Sequence, residues 1–168
     1  MRSHGLLKAA GVGLVATLAF AGGSASTAGT TPRCTTSGLV VWLNTNGSGT
    51  AGSVFYKLRF TNLSGHACTL TGYPGVSGVN LAGHRLGSPA ARDTSRTPHT
   101  VRLAAGASRT AVLQIVSVGN FSAAACRPVT AAGLRVFPPN ATRSKVVPFP
   151  FRACSRSGPI YLRVRPVA

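Results

Sequence analysis

Asp93 is the only carboxylate side chain in 168 residues, set against 18 lysines and arginines and no glutamate at all. General acid/base catalysis by carboxylates, carboxylate-held Ca²⁺ or Mg²⁺, glycoside hydrolysis by paired acids and metal-assisted phosphoryl transfer all need Asp or Glu at the site. A Ser/His/Asp triad would have to take Asp93 as its acid, with His84 or His99 as base. No G-x-S-x-G elbow accompanies them, and Arg92 and Arg96 flank Asp93 closely enough to be expected to pair with it locally. His66, His84 and His99 lack carboxylate partners and read as surface residues rather than metal ligands. Gly75-Val76-Ser77-Gly78 is followed by no Lys-Ser/Thr pair and opens no helix, so it is not a phosphate loop. The chain is expected to be no enzyme and to carry no cofactor or metal.

Four cysteines remain as reactive groups: Cys34, Cys68, Cys126 and Cys154. No two have C-x₂₋₄-C spacing, and His66 beside Cys68 forms only a single H-x-C pair, so a zinc site is disfavoured. An even, widely spaced set in an oxidising compartment reads as two disulfides, for which three connectivities exist. Cys34–Cys68 with Cys126–Cys154 is favoured because each bridge closes a local loop. Loop entropy then contributes about 3–4 kcal/mol per bridge.

The oxidising compartment is itself implied by the first residues. Arg2 and Lys8 form a basic start, an apolar segment follows to about Phe20, and Ala19-Phe20-Ala21 and Ser26-Thr27-Ala28 offer small-x-small cleavage sites. Residues 1–28 are read as a secretory signal peptide, cut after Ala21 or Ala28, ahead of a β-sandwich domain over 29–168. The apolar stretch is shorter than the roughly 18 residues that a retained membrane anchor needs. The mature chain is thus expected to lack a transmembrane segment. Cys34 follows Thr31-Pro32-Arg33 rather than a lipobox, and the end of the chain carries no hydrophobic tail. Cleavage would leave sixteen basic side chains and one acid, a formal charge of about +15.

The elements that must position these groups read as strands between turns. Val54, Tyr56, Leu58 and Phe60 alternate with Phe55, Lys57, Arg59 and Thr61, giving one apolar face and one basic face. Leu39–Leu43, Thr100–Leu103, Thr110–Val118, Gly133–Val136 and Ile160–Arg165 repeat the pattern, punctuated by Gly, Pro, Asn and Ser. No helical stripe is evident after the leader. The fold class is therefore all-β, an antiparallel Ig-like β-sandwich with two disulfides. Residues 83–99 have few large apolar side chains and are expected to form an exposed connection. Trp42 is assigned to core packing rather than to a sugar-stacking platform.

The run from Phe60 to Val76, with Asn62-Leu63-Ser64-Gly65, Cys68-Thr69-Leu70 and Gly72-Tyr73-Pro74-Gly75, resembles the signature of the secreted actinobacterial domain of unknown function 4232. Leu103-Ala104-Ala105-Gly106, Cys126 ahead of Leu134-Arg135-Val136-Phe137-Pro138-Pro139, and Cys154 before Val164-Arg165-Pro166-Val167 extend the resemblance over nearly everything from Cys34 onward. It implies a secreted or envelope-associated bacterial β-sandwich and supplies no catalytic residues. Members commonly carry acidic side chains, so the near-absence of acids here is a departure. The signature itself reads as turn chemistry: Gly72-Tyr73-Pro74-Gly75 combines a fixed proline φ with a glycine free to take positive φ. It is scaffold first, with Tyr73 as its candidate ligand contact.

Charge is the remaining functional clue. One acid cannot neutralise sixteen bases, so the positive field is left to salt or to an anionic partner. Arg163 and Arg165 alternate with Ile160, Leu162 and Val164, and Tyr161 shares their parity; these three, with Lys57 and Arg59, are the candidate binding residues. Arginines on a sheet beside an aromatic suit phosphate groups. The partners expected are anionic cell-envelope polymers or lipid head groups. Nucleic acid lacks any recognisable motif here, and the oligomeric state is open. The alternative is a structural or protein-interaction sandwich whose charge is incidental.

Overall fold

The alternation over residues 53–62 produces an interior strand, paired on both sides, and the rest of the sheet builds outward from it. The structure is a computed structural model that describes Met1, Gly5 and residues 29–168; the signal-peptide reading falls outside the described residues. Its strands are β1 (Leu39–Thr50), β2 (Ser53–Asn62), β3 (Cys68–Thr71), β4 (Gly75–Val79), β5 (Arg85–Leu86), β6 (Ala91–Arg92), β7 (Thr100–Leu103), β8 (Ser108–Val116), β9 (Pro128–Phe137), β10 (Lys145–Cys154) and β11 (Leu162–Val164). One short helix, α1 (Ala123–Cys126), precedes β9, capped by the Ser122 hydroxyl accepting from Ala125 N. Among the described residues no helix is long and apolar enough to cross a membrane.

Two sheets carry the fold, with a small third. One has the order β1-β2-β8-β11-β6, the second β10-β9-β4-β5, and β3 pairs with β7 alone. Pairing between strands is antiparallel except for the two-residue contact of β11 with β6, and the isolated bridge of Arg33 with Thr69 is also parallel. The sheets face each other across one apolar core: Leu58 and Phe60 of β2 and Leu113 of β8 come from one side, Val76 of β4 with Leu134 and Val136 of β9 from the other. The chain is therefore an all-β, mainly antiparallel sandwich, as its patterning predicts. Each fully buried Leu, Val or Phe contributes about 1.5–3 kcal/mol.

Both disulfides have the local pairing: Cys34 joins Cys68 and Cys126 joins Cys154. The first ties the entry segment to β3, where Cys34 N already donates to Thr69 O and Thr69 N to Pro32 O. The second lies wholly inside, locking α1 onto the end of β10.

Three local features depend on the sheets around them. Pro148 and Pro150 lie within β10, which tolerates them because it is the edge of its sheet and its register slips between Pro148 and Phe151. In the signature Gly72 is the glycine that takes positive φ, at 102°. Gly75 is already extended and pairs with Phe137. Residues 83–99 are mostly exposed but are not a bare connection, since they supply the edge strands β5 and β6.

The Asn62 turn is more than turn chemistry. Asn62 is fully buried, its Nδ2 facing the carbonyls of His66, Leu103 and Ala104 at 2.7, 3.2 and 3.1 Å. Its Oδ1 accepts from Ser64 N and Ser64 Oγ at 3.0 and 2.7 Å. One amide thus closes the corner between β2, the Cys68 loop and β7.

Candidate functional site

Strand register brings four of the candidate cations onto one surface, the outer face of the five-stranded sheet. In β2, Leu58 and Phe60 point into the core, which turns Lys57 and Arg59 outward. Lys57 lies opposite Val112 of β8 and Arg59 opposite Thr110. On the far side of β8, Arg163 of β11 pairs with Gln114, and Arg165 N donates to Val112 O at 2.9 Å. Lys57, Val112 and Arg165 therefore form one row across the sheet, with Arg59 one step along on β2 and Arg163 one step the other way on β11. Strand spacing separates the two cation-bearing strands by about 10 Å, and neighbours on one strand by about 7 Å. Lys57 and Arg163 are exposed, whereas Arg59 and Arg165 are half-buried.

Arg59 is held by an aromatic. Trp42 of β1 is its direct cross-strand partner, and the guanidinium carbon sits 4.7 Å from the indole centroid. Arg59 Nε is buried with no hydrogen-bond partner, so the ring's π-face is what this cation has in place of water there. Trp42 itself is 39% exposed, which corrects its assignment to the core. Parity carried the signal: Leu39 and Leu43 are buried and Val41 is half-buried, while Val40 and Trp42 take the other face.

Arg165 is not a free cation. Its Nε donates to Asp93 Oδ2 at 2.8 Å. Local pairing of Asp93 with Arg92 and Arg96 is thereby replaced by a partner 72 residues away. The reason is β-sheet geometry: Asp93 N donates to Val164 O, which lays the acid beside the outer side chain of the next residue. Asp93 Oδ1 accepts from Ser95 N, so both carboxylate oxygens are engaged. Hydrogen bonds from Arg165 and Ser95 draw the carboxyl down to a pKa of about 2.

Tyr161 does not join this face. Its ring is fully buried while Ile160 is 36% exposed, the reverse of the expected parity. The strand begins only at Leu162, so Tyr161 and Leu162 both turn inward and alternation holds from Leu162 onward. The hydroxyl donates to Leu86 O at 2.7 Å, and the ring lies 6.4 Å from that of Phe151. Burial pushes its pKa up to about 12.

Tyr73 stands apart as well, at the corner of the signature. Its hydroxyl donates to Arg96 O at 3.2 Å, and the Arg92 guanidinium covers the ring at 5.4 Å. Those contacts hold the 92–96 segment in place, so Tyr73 acts on the face indirectly, by fixing the backbone that carries Asp93 and Arg96.

Fold and face together define a class, the disulfide-stapled β-sandwich that presents a cationic sheet surface. The model of the family described as Domain of unknown function (DUF4232) matches residues 34–168, and the chain belongs to that family. No curated protein and no solved structure matches it.

Proposed function

We propose that this chain is a secreted, non-catalytic envelope protein that adheres to anionic cell-envelope polymers through the outer face of the five-stranded sheet. The observation that carries the reading is the row arrangement of Lys57, Arg59, Arg163 and Arg165, with Asp93 the sole acid to oppose them. Arginine and lysine at spacings of about 7 and 10 Å suit a chain of phosphate groups, which they bind by charge and by paired N–H donors. Two disulfides, together with a leader read over residues 1–28, favour export into an oxidising compartment. With no activity among its duties, the protein would bind by contact alone, without cofactor or metal.

Retention on isolated envelopes across a salt series tests this. Purified protein should be held at low salt and released steeply as salt rises, because each phosphate contact frees a counterion. Lys57→Gln combined with Arg163→Gln should lower the log–log slope by roughly 2, one for each contact. Retention indifferent to salt would sink the reading.

A second reading rests on a different feature of the same face. Val40 and Trp42 are 44% and 39% exposed beside each other on β1, as an apolar anchor for a protein partner would be. In that case Trp42→Ala should abolish retention while the Lys57/Arg163 variant leaves it intact.

A further inference from the structure

The cationic row runs into a surface cavity of about 460 Å³ between the 96–99 segment and the end of the chain, lined by Arg96, Thr97, His99, Thr110, Val112, Arg165, Pro166 and Ala168. We infer that this cavity is a seat for a single phosphoester group, the point at which an anionic polymer is anchored rather than merely attracted. The inference rests on the polyanion reading of the adjoining face and gives it a specific ligand chemistry.

Five side chains with hydrogen-bond donors line the cavity, and all of those donors except Arg165 Nε are uncommitted among the described residues. The Arg96 guanidinium, the Thr97 and Thr110 hydroxyls and the His99 ring make no hydrogen bond among the described residues. Arg165 spends only Nε on Asp93, so its terminal Nη hydrogens stay available, and the same bond fixes the direction in which they point. Asp93 does not line the cavity; the terminal carboxylate of Ala168 does, with one oxygen engaged by Thr110 N, so an incoming anion meets that single negative charge against the Arg96 and Arg165 cations.

Donor number and placement select the ligand. A planar carboxylate offers two oxygens in one plane and a phosphate group three or more in a tetrahedron, and the donors here come from three separate stretches, the 96–99 segment, β8 and the chain after β11. Val112 and Pro166 add an apolar wall that an inorganic ion would not use but the carbon skeleton of a glycerol or sugar ester would. The volume lies within the range of small-ligand sites and holds one such unit. The scaffold around it is anchored independently: Thr110 N donates to Ala168 O, Ala168 N to Thr110 O, and Tyr73 Oη to Arg96 O. The walls are thus set by backbone and by Tyr73, leaving the lining side chains for a ligand.

The test uses the whole exported chain and glycerol 3-phosphate as probe, followed by amide and side-chain chemical shifts at constant ionic strength. Saturable shifts confined to Arg96–His99, Thr110 and Arg165, with acetate giving none, are the expected result. Arg96→Gln with His99→Gln should weaken glycerol 3-phosphate at least ~10-fold, two charge-assisted contacts being lost. Lys57→Gln with Arg163→Gln should leave that affinity unchanged while weakening envelope retention. Shifts that are unsaturable, or spread over all the basic residues, or equal for acetate, overturn the seat even if polymer is retained. A seat that saturates on a protein that no polyanion retains preserves the phosphoester site and removes the envelope reading. Poly(glycerol phosphate) and phosphatidylglycerol vesicles, compared in the same titration, assign the ester to a wall polymer or to a lipid head group.

Discussion

Arg165 Nε donates to Asp93 Oδ2 at 2.8 Å, joining the chain's only carboxylate side chain to the last strand across a parallel two-residue pairing. This ion pair settles how the basic face ends. Three of its four candidate cations face solvent or an aromatic, while the fourth is oriented by an acid and turned toward a cavity.

Acid should weaken this pair in a defined window. Asp93 titrates at about 2 in the folded chain against an ordinary carboxyl near 3.9, so the unfolded state takes up a proton first as pH falls. The stabilisation is fully present above about pH 4 and is lost as pH drops toward 2. For a pair whose side chains are 36% and 24% exposed, screening leaves roughly 1 kcal/mol. Asp93→Asn should therefore melt lower than wild type at pH 6 and level with it at pH 2, as read by circular dichroism.

Asn62 is expected to be the most sensitive polar residue. Its amide faces three carbonyls and accepts two hydrogen bonds from Ser64 in a buried corner. Asn62→Asp keeps the shape but sets a carboxylate against those carbonyls, and should destabilise by about 3 kcal/mol or more, with Asn62→Ala near 2–3. Urea unfolding that found Asn62→Asp within 0.5 kcal/mol of wild type, on the order of a surface change, would contradict the assigned network.

Alkali should act through Tyr161. Its pKa is raised to about 12 by burial, so the unfolded chain ionises first, near pH 10, and the folded state loses relative stability between about 10 and 12. Tyr161→Phe should flatten that fall, at a cost of about 1 kcal/mol at pH 7 for leaving Leu86 O unpaired. Denaturant midpoints at pH 8 and pH 11 for both proteins check the sign.

Reduction should open the bridges in order. Cys126 and Cys154 are both 0% exposed, whereas Cys34 is only half-buried, so a small thiol reaches Cys34–Cys68 first. Mild dithiothreitol followed by alkylation and peptide mass measurement should label Cys34 and Cys68 while Cys126 and Cys154 stay protected until the chain unfolds. Labelling in the opposite order would refute the burial argument.

Close approach of β4 to the aromatic layer gives a steric test. A Cβ on Gly78 would lie 2.8 Å from Tyr161 Oη and 3.3 Å from Phe151 Cζ. Gly78→Ala should lower stability by about 1–3 kcal/mol through overpacking, and Gly78→Ala in a Tyr161→Phe background by less. Equal losses in the two backgrounds would show that the hydroxyl is not the obstacle.

Much of this protein is legible in its residues alone. The scarcity of carboxylates, the outward Lys57 and Arg59 of β2, the local disulfide pairing and the family signature are all properties of composition or of short stretches of chain. Within one strand, side chains alternate whatever surrounds them, so Leu58 and Phe60 declare their face without help. What lies beside a strand is another matter, because register between distant segments is set by packing of the whole core. That is why Asp93 found Arg165 rather than its neighbours Arg92 and Arg96, and why Pro148 and Pro150 sit in a strand that happens to be an edge. Tyr161 went inward because β11 starts at Leu162, two residues later than its pattern suggests, whereas Trp42 lies outside by the alternation of β1 itself and meets Arg59 across the strand pair. The cavity at Arg96, His99, Thr110 and Arg165 draws on three separate stretches of sequence, and only the folded sheet makes them one surface.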